Sequence, residues 1–235
     1  MAGRIAYYGN IVKDGLVLCL DAAKRDSYPG SGTTWNDISG FQSNGTLTNG
    51  PTFSSNNGGS VVFDGINDFT NLGSFSINLN LPWTISFWSF LVTPLTAYPE
   101  VITFRTNSTN PFEIAFSNDV SYRGITFGSP ITSRRKNDIL LSNYINKWTQ
   151  VVLSYQGGDP NNVNNFVLYD MGVVSPTTNS GAYGSITNQS VLAGGTGTSI
   201  HWFKGNIAQV LVYNKALTQA EVTQNFNATK GRYGL

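Results

Sequence analysis

The chain has 235 residues, of which 40% are hydrophobic and 13% aromatic, enough apolar material for one large packed domain. Charged residues make up only 11%, against roughly 25% in an average soluble domain, and the net charge is +1. So little charge argues against nucleic acid or an anionic membrane as a partner, and favours uncharged partners such as sugars or neutral protein surfaces.

The first thirteen residues carry two tyrosines ahead of the first clear strand. We interpret residues 1–13 as an arm that docks on a partner or as an added edge strand, and residues 14–235 as one β-sandwich domain. The start lacks the long apolar stretch of a signal peptide, and no segment reaches the length of a membrane span. We therefore expect synthesis in a cytoplasm, without membrane insertion. Cys19, the single cysteine, lies in an apolar run and is predicted to be a buried, unreactive thiol.

Short runs rich in β-branched and aromatic residues follow, separated by Gly, Asn, Pro and Ser. Runs of this length and spacing predict antiparallel strands of a sandwich. The runs are residues 61–63, 83–91, 101–105, 112–116, 124–127, 148–155, 166–169, 190–193 and 207–213. Residues 54–60 are predicted to form a hairpin loop, and the tryptophans at 83, 88 and 148 to fill the core.

A capping box near the C-terminus predicts the one helix of the chain. Thr218 can accept a hydrogen bond from the amide of Glu221, and the Glu221 side chain can reach back to Thr218. We expect a helix near residues 219–228, ended by Gly231. The residues predicted to dock it are Leu217, Val222 and Phe226.

Three segments, in this order along the chain, resemble motifs of the concanavalin A-like superfamily in its laminin-G-like branch. Residues 59–69 resemble a V-x-F-D-G-x-x-D-Y hairpin, and residues 83–88, followed by 147–152, resemble an F-T-I-S-F-W strand and its partner. Residues 203–218 resemble an F-x-G-x-I-x-x-V-x-I-Y-x-R-A-L-S ending. The resemblance implies an all-β fold, a two-sheet antiparallel jelly-roll sandwich with one short C-terminal helix.

Two further segments are similar to laminin-G-like proteins of tailed bacteriophages. They are residues 15–47, in part, and residues 225–235. This resemblance implies a structural virion protein, a head decoration or a tail-associated surface protein, that acts through contacts with other virion proteins. A host-surface glycan-binding adhesin is the alternative, with host polysaccharide as partner, and a glycoside hydrolase is a remote third. Homo-oligomerisation is left open.

Catalysis is not expected from the acidic residues. Retaining glycosidases need two carboxyl groups on one cleft, and in this fold one strand supplies them as Glu-x-Asp-x-x-Glu. The chain has three glutamates, Glu100, Glu113 and Glu221, and none lies in that pattern. The single histidine, His201, has no serine or cysteine nucleophile beside it in the sequence.

Sugar binding would use exposed aromatic rings beside amides and hydroxyls, because the apolar face of a sugar stacks on a ring. The candidate residues are Trp202, His201, Trp35 and Tyr28. For Trp35 and Trp202, packing on the core is the competing interpretation.

Calcium is the cofactor that the laminin-G-like resemblance implies, held at a sandwich rim by Asp and Asn oxygens. The candidate ligands are Asp64, Asp68, Asp159 and Asn161. The competing interpretation is that these residues form turns.

Overall fold

A computed structural model describes residues 11–78, 80–94, 99–105, 112–117, 123–128, 135–159, 162–178, 189–193 and 201–235. Within these ranges the chain forms sixteen strands and one α-helix. The strands are β1 Leu16–Asp21, β2 Thr34–Trp35, β3 Gly45–Thr48, β4 Thr52–Ser54, β5 Ser60–Asp64, β6 Phe69–Ile77, β7 Trp83–Leu91, β8 Glu100–Arg105, β9 Phe112–Ser117, β10 Gly124–Gly128, β11 Arg135–Lys136, β12 Trp148–Tyr155, β13 Phe166–Asp170, β14 Val173–Ser175, β15 Gln189–Ala193 and β16 Lys204–Tyr213, and the helix is α1 Gln219–Thr229. No helix in the described ranges is long and apolar enough to cross a membrane.

The strands form two antiparallel sheets, which confirms the predicted sandwich. Sheet A has the order β14-β13-β12-β7-β16-β5-β4, with β1 also paired to β16, and sheet B has the order β11-β10-β9-β8-β15-β6-β3-β2. The strand β7 lies at the centre of sheet A, bonded to β12 on one side and β16 on the other. The predicted hairpin at residues 54–60 is also confirmed, because β4 pairs with β5.

Apolar side chains at alternate positions along the strands fill the space between the two sheets. In β9, Phe112, Ile114 and Phe116 enter the main hydrophobic core, as period-two patterning requires, and Glu113 points to the opposite face. Trp83 meets the ring of Phe112 on sheet B across the core, and the rings of Tyr155 and Phe166 beside it in sheet A. The prediction that Trp83 fills the core is therefore confirmed.

The outer face of sheet A is also apolar and is covered by the C-terminal segment. The β16 stretch from Ala208 to Val212 is buried on both faces, as its sequence predicts. Over this face Trp88 stacks on Tyr233, with ring centroids 4.1 Å apart, and on Phe226 at 5.9 Å. Aromatic pairs of this kind contribute about 1 kcal/mol each beyond their buried area.

The helix forms as its capping box predicts. The Thr218 hydroxyl accepts from the Glu221 amide, and the Glu221 carboxylate accepts from the Thr218 amide at 2.9 Å. The prediction that Gly231 ends it is wrong, because the chain continues as a 3-10 turn, Lys230–Tyr233. The left-handed residue that closes this turn is Gly234, at φ +76°.

The first described residues dock on the same outer face. Ile11 and Val12 are buried there, and the Val12 amide donates to Asn225 Oδ1 on α1 at 2.8 Å. Residues 1–10 lie outside the described ranges. Cys19 is buried in the same cluster, and burial raises the pKa of its thiol to about 12, which matches the prediction of an unreactive cysteine.

A buried ion pair fastens the C-terminal segment to the sheet. Arg232 Nη1 lies 3.1 Å from both carboxylate oxygens of Asp21 on β1, and the Asp21 side chain is fully buried. Gln209 Nε2 donates to Asp21 Oδ2 at 2.6 Å, and the Ser27 hydroxyl accepts from the Asp21 amide. These contacts join β1, β16 and the last turn at one point.

Arg232→Met should lower the free energy of unfolding by about 3 kcal/mol, because it leaves the Asp21 carboxylate buried without its cation. The matched control is Arg25→Met at an exposed arginine, which should change it by less than about 0.5 kcal/mol. Urea unfolding of both variants measures the difference. Equal losses in the two would show that the ion pair does not fasten the segment.

Candidate functional site

Two of the four sugar-binding candidates are core residues, so the prediction is wrong for them. Trp35 is 0% exposed and Tyr28 is 2% exposed, and both belong to the main hydrophobic core. The Tyr28 hydroxyl donates to the Gly32 carbonyl at 2.8 Å, which closes the loop over it. A ring without exposed surface cannot stack on a sugar.

The other two candidates, His201 and Trp202, are half-buried next to sheet B. His201 Nδ1 lies 2.7 Å from Glu100 Oε1, and the Thr103 hydroxyl donates to Glu100 Oε2 at 3.1 Å. The Trp202 ring lies 6.3 Å from the ring of Phe69. His201 is thus engaged with a buried carboxyl group. Sugar binding by His201 and Trp202 stays a prediction.

Two glutamates share the outer face of sheet B. Glu113 lies directly opposite Thr103 on the neighbouring strand, and the Thr103–Glu100 hydrogen bond places Glu100 on the same face. Both side chains are buried. The one-strand glycosidase pattern is absent, but two strands bring carboxyl groups to one face, so the lack of catalysis stays a prediction.

The calcium candidates that the structure describes lie at two different ends of the sandwich. Asp64 and Asp68 lie at the turn after β5. Asp64 pairs with Lys204 at the start of β16, and the next residue of β16, Gly205, pairs with Leu91 at the end of β7. Asp159 follows Tyr155, which pairs with Trp83 at the opposite end of β7, and Asn161 lies outside the described residues. We call these two ends of the sandwich the Leu91 rim and the Trp83 rim.

At the Leu91 rim, the Asp68 carboxyl partly fits a cation. Its Oδ2 accepts from the Asp64 amide at 3.0 Å, while its buried Oδ1 has no hydrogen-bond partner among the described residues. Burial also raises the pKa of Asp68. The described residues contain no cluster of three acidic, histidine or cysteine side chains, and Asp64 and Asp159 lie at opposite rims, so these two cannot hold one ion together. Calcium binding at either rim stays a prediction.

A groove of about 580 Å³ beside the Leu91 rim combines rings with polar groups. We call it the Trp148 groove. Its walls come from the end of β7, the loop before β12, the end of β13 and the C-terminal turn. The lining residues used below are Phe90, Asn143, Tyr144, Lys147, Trp148, Asp170 and Tyr233.

Its aromatic wall is built on Trp148. This ring lies 5.5 Å from the ring of Phe90 and 4.6 Å from that of Tyr233. Its indole nitrogen donates to Asn57 Oδ1 at 3.1 Å, which holds the ring in place. The prediction that Trp148 fills the core is wrong: the residue faces the outer side of sheet A and is only half-buried.

Its polar wall is a chain of hydrogen bonds. The Tyr144 hydroxyl donates to Asp170 Oδ2 and accepts from Asn137 Nδ2, each at 2.8 Å. Asp170 Oδ1 is buried and accepts no hydrogen bond from the described residues. Burial raises the pKa of Asp170, and the Tyr144 hydrogen bond opposes that shift. Asn143 and Lys147 are exposed next to this wall.

The sequence interpretation missed these groove residues. Asp170 follows Phe166 and Leu168 in strict alternation, so period-two patterning alone would have placed a carboxyl on the inward face at a strand end. No sequence pattern predicts that the rings of Phe90, Trp148 and Tyr233 pack together, because these residues are far apart in the sequence.

Comparison with family models finds one match. The model described as concanavalin A-like lectin/glucanases superfamily, Laminin_G_3, matches residues 63–223, which is more than half of the chain. A search of curated proteins finds no match.

Solved structures share the fold at low sequence identity. Domain 4 of AbnA, a GH43 extracellular arabinanase from Geobacillus stearothermophilus in complex with arabinotriose, aligns with a TM-score of 0.64 and 17% identity over 91% of this chain and 98% of that domain. The binding domain of Paraclostridial Mosquitocidal Protein 1 aligns with a TM-score of 0.62 and 17% identity, over 92% of this chain and 52% of that one. Trypanosoma rangeli sialidase in complex with sialic acid aligns with a TM-score of 0.66 and 11% identity, over 95% of this chain and 34% of that one. The chain therefore spans about half of the second protein and a third of the third.

The free energy of unfolding of the Asp170→Asn variant should increase relative to that of the wild type as the pH rises. The folded-state pKa of Asp170 is raised above the unfolded value of about 3.9, so ionising this carboxyl costs stability as the pH rises through the acid range. The substituted amide has no such cost and still accepts from Tyr144. Urea unfolding at acidic and neutral pH measures the difference between variant and wild type. A difference independent of pH would contradict the prediction.

Proposed function

The chain belongs to the concanavalin A-like lectin/glucanases superfamily, and on that premise we propose that it is a carbohydrate-binding domain that holds a saccharide in the Trp148 groove. The observation that carries the proposal is that one groove is lined by the half-buried Trp148 ring together with a carboxyl group, amides and an ammonium group. Small-molecule sites commonly have volumes of about 300–1,000 Å³, and this groove lies within that range.

The aromatic wall suits the apolar face of a sugar ring. Trp148 is fixed by its hydrogen bond to Asn57 and by its contact with Tyr233, so little conformational entropy is lost when a ligand stacks on it. A rigid ring beside hydrogen-bonding groups gives both contact area and orientation.

The polar wall suits sugar hydroxyls. Asp170 and Tyr144 both line this wall, and Asp170 is half-buried, so part of its side chain faces the groove. The exposed Asn143 amide and Lys147 ammonium add donors on the open side.

The structural neighbours support this choice. One of them is an arabinanase domain solved with arabinotriose, and another is a toxin binding domain. The low charge of this chain agrees with an uncharged ligand, because such a surface attracts ions weakly.

We expect the full chain to bind a subset of oligosaccharides on a glycan array that includes arabinotriose. Trp148→Ala should weaken that binding about tenfold, which is about 1.4 kcal/mol. Asn143→Ala, at an exposed amide, should weaken it about fivefold, the value of one net hydrogen bond of about 1 kcal/mol. Calorimetric titration with the strongest array binder measures both.

Leu140→Ala is the matched control, because Leu140 is 51% exposed in the same loop but does not line the groove. It should leave the affinity unchanged. Ligand binding should also change the tryptophan fluorescence of the wild type, and Trp148→Phe should reduce that change. Absence of any array binding, or equal affinity in wild type and Asn143→Ala, would overturn the proposal for this groove.

We further propose that the domain is displayed on a phage virion, where it contacts other virion proteins and host polysaccharide. The support is the resemblance of residues 15–47 and 225–235 to laminin-G-like proteins of tailed bacteriophages. Two elements of these segments, β1 and the C-terminal turn, are joined by the Asp21–Arg232 pair. The two similar segments therefore include both residues of the ion pair that fastens the C-terminal turn, and Tyr233 of that turn lines the groove.

Purified particles from an infected culture should contain the chain in a fixed copy number per particle. Quantitative mass spectrometry gives the number, and antibody labelling in electron micrographs gives its position on head or tail. A chain found free in the lysate and absent from washed particles would contradict virion display and leave the carbohydrate-binding proposal standing.

A further inference from the structure

A second groove, of about 460 Å³, opens at the Trp83 rim, at the other end of the sandwich. It lies between the end of β6, the start of β7 and the loop before β3. We call it the Phe41 groove. Its volume also falls within the usual range of small-molecule sites, about 300–1,000 Å³.

The Phe41 groove pairs exposed apolar groups with uncharged hydrogen-bonding groups. Phe41 is 65% exposed and Leu81 is 58% exposed, and both line it. Asn78, Asn214 and Ser43 contribute two amides and a hydroxyl to the same lining. None of the described residues that line this groove is charged.

This lining favours a neutral saccharide unit over the other occupants. A ring for stacking beside amides and a hydroxyl is the same chemistry as in the Trp148 groove, without its carboxyl and ammonium groups. A stable protein partner would need about 800 Å² of surface on each side, more than a groove of this size offers by itself. The described lining offers an ionic ligand no counter-charge.

The two grooves lie too far apart to share one short oligosaccharide. Trp83 and Phe90, the first and eighth residues of β7, line the Phe41 groove and the Trp148 groove respectively. Seven steps along a strand cover about 23 Å. The grooves therefore face opposite ends of the sandwich.

We propose that the Phe41 groove is a second, independent binding site for an uncharged saccharide unit, so that one chain holds two glycan segments at once. The inference rests on the proposed carbohydrate-binding function. Two sites of modest affinity on one rigid domain bind a polysaccharide with higher avidity than either site alone, and they cross-link separate glycan chains.

Calorimetric titration of the wild-type chain with its strongest array oligosaccharide should give two sites per chain. The double variant Phe41→Ala, Asn214→Ala should give one site, and both side chains are exposed, so folding should be unaffected. Ile66→Ala, at a residue that is 70% exposed outside both grooves, is the matched control and should keep two. Circular dichroism of each variant checks the fold.

The outcomes separate this inference from the function on which it rests. A wild type with one site that the double variant leaves intact overturns the second site but keeps the Trp148 groove. Two sites in the double variant also overturn it. If no array oligosaccharide binds, the proposed function fails, and this inference fails with it.

A polysaccharide built from the array oligosaccharide provides a second readout. The wild type should cross-link it and make the solution turbid, and the Phe41→Ala, Asn214→Ala variant should bind it without turbidity. Size-exclusion chromatography tests the competing occupant, a second copy of this chain. A wild-type dimer that Phe41→Ala converts to a monomer would show that the groove is a dimer contact and would overturn the inference.

Discussion

The contact between Asp21 and Arg232 ties together the parts of the molecule on which the candidate site depends. Sheet A has an apolar outer face as well as an apolar inner face, so it cannot face water on that side. The C-terminal segment covers it, and the buried ion pair fixes the position of that cover. Tyr233 follows Arg232 directly, packs against Trp88 and Trp148, and so completes one wall of the Trp148 groove.

Much of the fold could be predicted because it follows from local patterns. The strands at 83–91 and 148–155 have the predicted bounds, since their apolar runs are bounded by turn residues, and the helix begins where the Thr218 capping box places it. Gly231 shows the limit of such rules: a glycine was present, but the left-handed position fell three residues later, at Gly234.

The candidate site was harder to predict because exposure depends on where a loop travels in three dimensions. Trp35 lies among glycines, serines and threonines, as an exposed loop residue would, yet it belongs to β2, which pairs with β3 at the edge of sheet B, and its side chain is fully buried in the core. Trp148 begins a strand and yet faces outward. The calcium candidates show a related limit: the sequence does not reveal that the length of β7 separates Asp64 from Asp159, which lie at opposite rims.

The two rims have a mechanical consequence. The strand β7 runs from one groove to the other and is hydrogen-bonded along its length to β12 and β16. Because antiparallel hydrogen bonds lie perpendicular to the strands, a pulling force applied between the rims would load them in shear, many at once, instead of opening them one by one. The sandwich is thus oriented to resist tension along the line that joins its two grooves.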